Sequence, residues 1–176
     1  MKKIIFIYGI IAGTIVIGTM LIGYALARDG MNTASMTFGF LTMFVALSLI
    51  FAGIKKYRDR DLGGVIRFWP AFGMGVGISA VAGIIYVIGW EINLALTDYV
   101  FIENYTKGII DAKTEDGLAG ADLEALVAKM EEMKTNYGKP SYRVPMTFSE
   151  IFPVGLIVSL VSAALLRNPK TLPARK

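Results

Sequence analysis

Four apolar runs organise the chain: 4–27, 36–54, 69–90 and 151–166, none of which contains Asp, Glu, Lys or Arg. An α-helix rises 1.5 Å per residue, so the ~30 Å hydrocarbon core of a bilayer takes about 20 apolar residues. The first three runs meet that length, and the fourth does if its helix starts near Thr147. The pattern predicts an all-α membrane protein. It has a single four-span domain over 1–176, with transmembrane helices at about 4–27, 36–54, 69–92 and 147–166. Between the third and fourth spans, 93–145 changes to mixed charge. Val100, Phe101, Tyr105 and Ile109 recur there at helical spacing, as do Leu123, Leu126, Val127, Met130, Met133 and Tyr137. A turn-like stretch from Lys113 to Gly120 separates them, and Asp122 is placed to cap the second helix. The segment reads as an extra-cytoplasmic (periplasmic) helical hairpin whose first arm continues span 3 without a break. Its apolar stripes face each other or the membrane surface, as a packed lid or as a docking surface for a periplasmic partner.

Lys2 and Lys3, the first apolar run and Ala25-Leu26-Ala27 resemble a secretory signal, but the run exceeds the 7–15 residues of a signal core and reads as a permanent span. Orientation follows from Lys and Arg. Eleven of the eighteen lie in the two tails and the 55–67 loop, with only Asp59 and Asp61 of the fourteen acidic residues. Both termini are therefore expected in the cytoplasm and the protein in a bacterial inner membrane. The net charge of +4 is then a consequence of topology, and no nucleic-acid motif accompanies it. The absence of Cys and His excludes disulfides, thiol chemistry, His-based triads and His/Cys metal sites. No cofactor or metal is expected.

In lipid, helices associate through small residues that allow close backbone approach. Span 1 carries Gly9 and Gly13, and span 4 carries Gly155, Ser159 and Ser162. Span 3 carries two nearly opposite stripes, Gly73, Gly77 and Ala80 on one side and Gly75, Ser79 and Gly83 on the other. It is therefore expected between two neighbours, within the bundle or against a second copy. Gly75-Val-Gly77-Ile-Ser79-Ala80 also fits G-x-G-x-x-A, but it lacks the preceding strand and the following acidic residue of a dinucleotide site, and packing explains it.

Ionisable residues near a bilayer are functional candidates. Arg28, Glu91 and Glu150 are expected at the outer ends of the spans, as a cation or proton site or as salt bridges and caps. Thr147-Phe-Ser-Glu150 matches the capping box T-x-x-E at the start of span 4. Pro153 is expected to kink that span. The inner loop, with Lys55, Lys56, Arg58 and Arg60, is expected to contact anionic lipid headgroups.

Several of these residues carry a resemblance. Gly53-Ile-Lys-Lys-Tyr-Arg-Asp59, Gly63-Gly64, Phe68, Ala71-Phe72, Gly75, Tyr86, Trp90 and the later Phe148-Ser-Glu-Ile-Phe-Pro-Val-Gly155 resemble the bacterial membrane protein family called domain of unknown function 4199. The likeness runs in order along nearly the whole chain. It implies a four-span inner-membrane protein and brings no activity or catalytic residue.

The functional expectation is a non-catalytic subunit or accessory factor. Its partners are membrane lipids and either further copies of itself or other membrane-protein subunits, and nucleic acid is not among them. The alternative is a transporter or channel-like protein for a small solute or ion, with Glu91 and Glu150 at its outer mouth. A lipid-modifying enzyme at the outer leaflet is the third reading.

Overall fold

The computed structural model describes residues 1–28 and 36–173, with backbone alone for 24–28 and 36–38. It contains seven helices among the described residues and no strand: α1 Lys2–Arg28, α2 Met36–Leu47, α3 Leu49–Asp61, α4 Phe68–Leu96, α5 Val100–Glu115, α6 Gly120–Tyr137 and α7 Pro140–Leu166. Four stretches are long and apolar enough to cross a membrane: Lys2–Gly23, Gly39–Asp61, Phe68–Leu96 and Pro140–Leu166. The second joins α2 to α3 through Ser48, which keeps right-handed helical geometry and whose N–H donates to Phe44 O at 3.0 Å. The chain divides into two compact units, one of Met1–Gly89 with Phe148–Lys176 and one of Trp90–Thr147.

In the first unit α4 lies between α1 and α7, and the glycines set the contacts. A methyl group at Gly9 would come within 2.5 Å of Val81 Cβ, and one at Gly13 within 2.7 Å of the Ala82 carbonyl. Gly77 meets Ile5 and Gly89 meets Ile17, so contacts advance together along both helices and α1 and α4 run parallel. On the other side Gly75 meets Ser159, Ser79 meets Gly155 and Gly83 meets Phe148, an antiparallel register. Ser79 and Ser159 lie 3.3 Å apart, and each hydroxyl donates back to the carbonyl four residues earlier, Gly75 and Gly155. Two buried hydroxyls are thereby satisfied, at the cost of the close backbone approach only glycine permits. Gly53 admits Tyr8 and Ile78, bringing α3 onto α1 and α4. Gly73 departs from its expected stripe, because a methyl group there would meet nothing within 4 Å.

This produces a graded prediction. Gly13→Ala pushes a methyl group into backbone and should cost about 2 kcal/mol, as overpacking does. Gly77→Ala meets only the flexible end of Ile5 and should cost less, and Gly73→Ala, free of neighbours within the monomer in micelles, should gain up to about 1 kcal/mol from helix propensity. Unfolding titrations in mixed micelles check the order. Equal effects at all three sites would contradict the packing.

Core positions of this unit are apolar, including Leu47, Ile50, Ile54, Met74, Ile78, Ile151 and Leu166. Its outer surface is apolar as well, with Phe6, Ile10, Phe40, Phe44, Ile84, Ile88, Ile157 and Leu160 exposed on all four long helices. So much outward apolar surface is unlike a water-soluble monomer and compatible with a lipid-facing one.

In the second unit α5 and α6 pack against each other, burying Thr106, Met130 and Tyr137. Three expectations at helix ends are corrected. Span 3 does not run on into α5: it ends at Leu96, and Asp98 and Tyr99 adopt left-handed backbone at φ 50° and 57° before α5 starts. Ala119, not Asp122, is the N-cap of α6, and Asp122 stands in the first turn, where its charge favours the positive end of the helix. Helix α7 begins at Pro140, so Thr147 and Glu150 sit inside it and form no capping box. Its helical assignment also passes Pro145 and Pro153 without interruption.

Candidate functional sites: three polar networks on the helices

The glycine contacts that draw α4 onto α1 and α7 converge near Tyr86, which is almost fully buried. Its hydroxyl donates to Glu150 Oε2 at 2.9 Å, and Met20 Sδ lies 3.0 Å from the same oxygen. A phenol has one proton to give, and a carboxylate oxygen is a far better acceptor than a thioether. The bond to Glu150 is therefore the strong one, and Met20 packs beside it. Met20 and Tyr86 each stand 18 residues from the starts of their helices, and Glu150 stands 16 from the end of α7. At 1.5 Å per residue that is about 24–27 Å along each helix. This is a phenol–carboxylate pair in which the phenol is buried and Glu150 is exposed.

The second network lies in the second unit and centres on a residue the sequence did not single out. Arg143, 2% exposed, presents Nε and Nη2 to the two oxygens of Glu91, both at 2.7 Å, while Nη1 donates to Tyr137 O at 2.9 Å. The guanidinium also sits 5.1 Å from the Tyr99 ring centre and 5.7 Å from that of Tyr137. Trp90 Nε1 donates to Tyr137 Oη at 2.8 Å, and Phe101 meets the Trp90 ring edge-on at 4.8 Å. The paired fork is the strongest geometry available to a carboxylate and arginine. It ties α4, α6 and α7 together, and the third donor closes an orphan carbonyl at the end of α6. Glu91 thus has a committed partner, and Glu150 has another. Arg28 ends α1, and its side chain lies outside the described residues.

The third network corrects an expectation. Arg58, expected at lipid headgroups with Lys55, Lys56 and Arg60, is fully buried. Its guanidinium donates to Thr171 O at 2.9 Å, to Leu172 O at 2.6 Å and, at 3.5 Å, to Leu166 O in the last turn of α7, while Nε meets Asp59 at 2.7 Å. Lys55 also bonds to Asp59, Lys56 lies over the Tyr8 ring at 5.6 Å, and Arg60 is exposed. Unfilled carbonyls at a helix C-terminus need donors, and a basic residue supplies them while complementing the helix dipole. The network also gathers the end of α3, the end of α7 and the tail at one end of the first unit. The start of α1 joins them through Tyr8.

Among the described residues no group of three His, Cys, Asp or Glu converges as a metal site. No curated protein and no solved structure matches the chain. A family profile does match, over residues 7–168, and with nearly the whole chain covered this protein belongs to the family described as Protein of unknown function (DUF4199).

Proposed function

We propose that the chain is an integral protein of the bacterial inner membrane that serves as a non-catalytic subunit or accessory factor, self-associating or joined to other membrane-protein subunits. In this reading both termini are cytoplasmic. Lys2, Lys3, Lys55, Lys56, Arg60, Arg67, Arg167 and Lys170 then share the inner face, in keeping with the positive-inside bias. Helices α5 and α6 form an extra-cytoplasmic hairpin. Anionic headgroups are met by Arg60 and the flanking lysines, since Arg58 is committed elsewhere.

The observation that carries the assembly reading is a set of span glycines, Gly18, Gly23, Gly39 and Gly73, that are unused among the described residues. A methyl group added at Gly18 in α1 or at Gly73 in α4 would meet nothing within 4 Å, unlike one at Gly9, Gly13, Gly75 or Gly83. Glycine inside a helix costs about 1 kcal/mol relative to alanine. Close approach of a further helix would offset that cost. The transport reading draws on Glu150 and Tyr86, but the polar groups deeper in the first unit, Ser79 and Ser159, donate to carbonyls of their own helices and lie 3.3 Å from each other.

The test is the mass of the purified protein in native lipid nanodiscs. A discrete assembly well above the 19.2 kDa chain is expected, and Gly18→Leu with Gly73→Leu should reduce it to the monomer without unfolding it. A wild-type protein that is monomeric and alone would overturn the proposal, and solute flux through such monomers would install the transport reading.

A further inference from the structure

The corner where α4 gives way to α5 exposes a run of apolar and aromatic side chains: Ile92, Leu96, Tyr99 and Val100. Leu96, at 79%, is more exposed than any other large apolar side chain among the described residues. Burying a leucine side chain is favourable, so leaving one in water forgoes that gain. The corner also holds strained backbone. Two successive non-glycine residues, Asp98 and Tyr99, are left-handed, a conformation that L side chains disfavour. The Tyr99 N–H closes on Leu94 O at 2.9 Å, and Arg143 beneath the Tyr99 ring holds it in place.

We infer that this corner is a membrane-interface anchor, with Leu96, Tyr99 and Val100 seated in the boundary between phospholipid headgroups and acyl chains. The length of α4 selects the occupant. Its 29 residues extend about 43 Å, close to the ~40–45 Å of a bilayer with both headgroup layers. Phe68, Trp69 and Phe72 cluster at its start, where aromatic rings anchor a span in one headgroup layer. With that end fixed, Leu96 falls in the opposite layer. The exposed residues Ile84, Ile88, Ile92 and Leu96 follow one another every four positions on α4, so the corner extends an apolar stripe of the same helix. Tyr99 is amphipathic, suited to a layer that is apolar below and wet above. Asp98 is the exposed charge of the corner, Arg143 being buried and paired with Glu91, and it offers nothing to anionic lipids, so insertion rests on apolar contact and is insensitive to salt.

The absence of native cysteine makes the test direct. The full chain carrying Leu96→Cys, labelled with an environment-sensitive fluorophore, is reconstituted in phosphatidylcholine vesicles. Ile88→Cys and Lys107→Cys serve as references. The label at 96 should be quenched at least twofold more by a nitroxide near the top of the acyl chain than by aqueous iodide, and the label at 107 should show the reverse. Iodide access at 96 equal to that at 107, with 88 still protected, would overturn the anchor and leave the spans standing. A label at 96 shielded from both quenchers would overturn it in favour of a protein covering, and dilution with lipid would identify a second copy as that covering. The anchor needs no partner, so a monomer that fails the assembly test can still pass this one.

Discussion

Arg143→Ala should loosen the second unit by about 2 kcal/mol, with proteolytic nicking appearing around the 97–99 turn and in the 116–119 loop. Removing one member of a buried ion pair costs about 3–5 kcal/mol when the remaining charge is stranded. The Glu91 side chain keeps 28% of its surface, so solvent relieves part of that penalty. The loss has three sources: the two fork bonds to Glu91, the bond to Tyr137 O and the guanidinium beneath the Tyr99 ring. Glu91→Gln should be milder, since the amide oxygen still accepts one of the two bonds. Arg143→Lys should resemble Ala more than Arg, because a single ammonium cannot match the planar fork and reach Tyr137 O as well. A double-mutant cycle between positions 91 and 143, read by amide exchange of α5 and α6, isolates the pair. A coupling of about 1 kcal/mol is expected, the Tyr137 and Tyr99 contacts supplying the rest of the loss. Additive effects with unchanged protection would show that the hairpin is held by its aromatic contacts alone.

That network also marks where the sequence stopped being readable. The spans were legible because length and freedom from charge are local properties, and the two-sided character of α4 was legible because helical spacing placed Gly77 and Gly75 on opposite faces. The structure adds which neighbour each face meets and shows Gly73 left unused. Glu91 and Glu150 stood out as acids at the ends of apolar runs, but their partners did not. Arg143 lies 52 residues from Glu91 in the mixed-charge segment beyond the last apolar stripe of the hairpin, and Tyr86 lies 64 residues from Glu150 inside an apolar run. The helix starting at Pro140 exists because Arg143 anchors it to Glu91 and to the end of α6. A local pattern such as Thr147-x-x-Glu150 predicts a helix start only where no earlier turn is stabilised from elsewhere. The break at 97–99 was missed for a related reason. Left-handed Asp98 and Tyr99 carry no glycine signal, and the tertiary contact of Tyr99 with Arg143 sustains them. Arg58 was hidden differently, inside a basic cluster that membrane topology alone accounts for.

Arg58→Ala should be the most damaging single substitution in the first unit, at about 3 kcal/mol. Truncation leaves the carbonyls of Thr171 and Leu172 without their donor and weakens the closure of α7 at Leu166. An unsatisfied buried acceptor costs about 1–3 kcal/mol. The carbonyls that reach water on release recover part of this, which keeps the total near the lower end of the sum. In Arg58→Ala, Asp59 retains Lys55 and is not stranded. In Asp59→Asn, Arg58 retains its carbonyl acceptors and the amide oxygen can still accept from Nε, so that change should cost under about 1 kcal/mol. Arg58→Lys keeps the charge but reaches fewer carbonyls and should fall between the two. The damage should be local before it is global, because the tail is tied down by these bonds and α7 is held independently by Ser79, Ser159 and the glycine contacts. Trypsin cleavage after Arg167 and Lys170 reads the local opening, and the rate should rise roughly tenfold for each about 1.4 kcal/mol lost there. Cleavage accelerated in Arg58→Ala but not in Asp59→Asn would establish the guanidinium as the clasp on the tail. Equal acceleration in both would transfer that role to the Lys55–Asp59–Arg58 charge cluster as a whole.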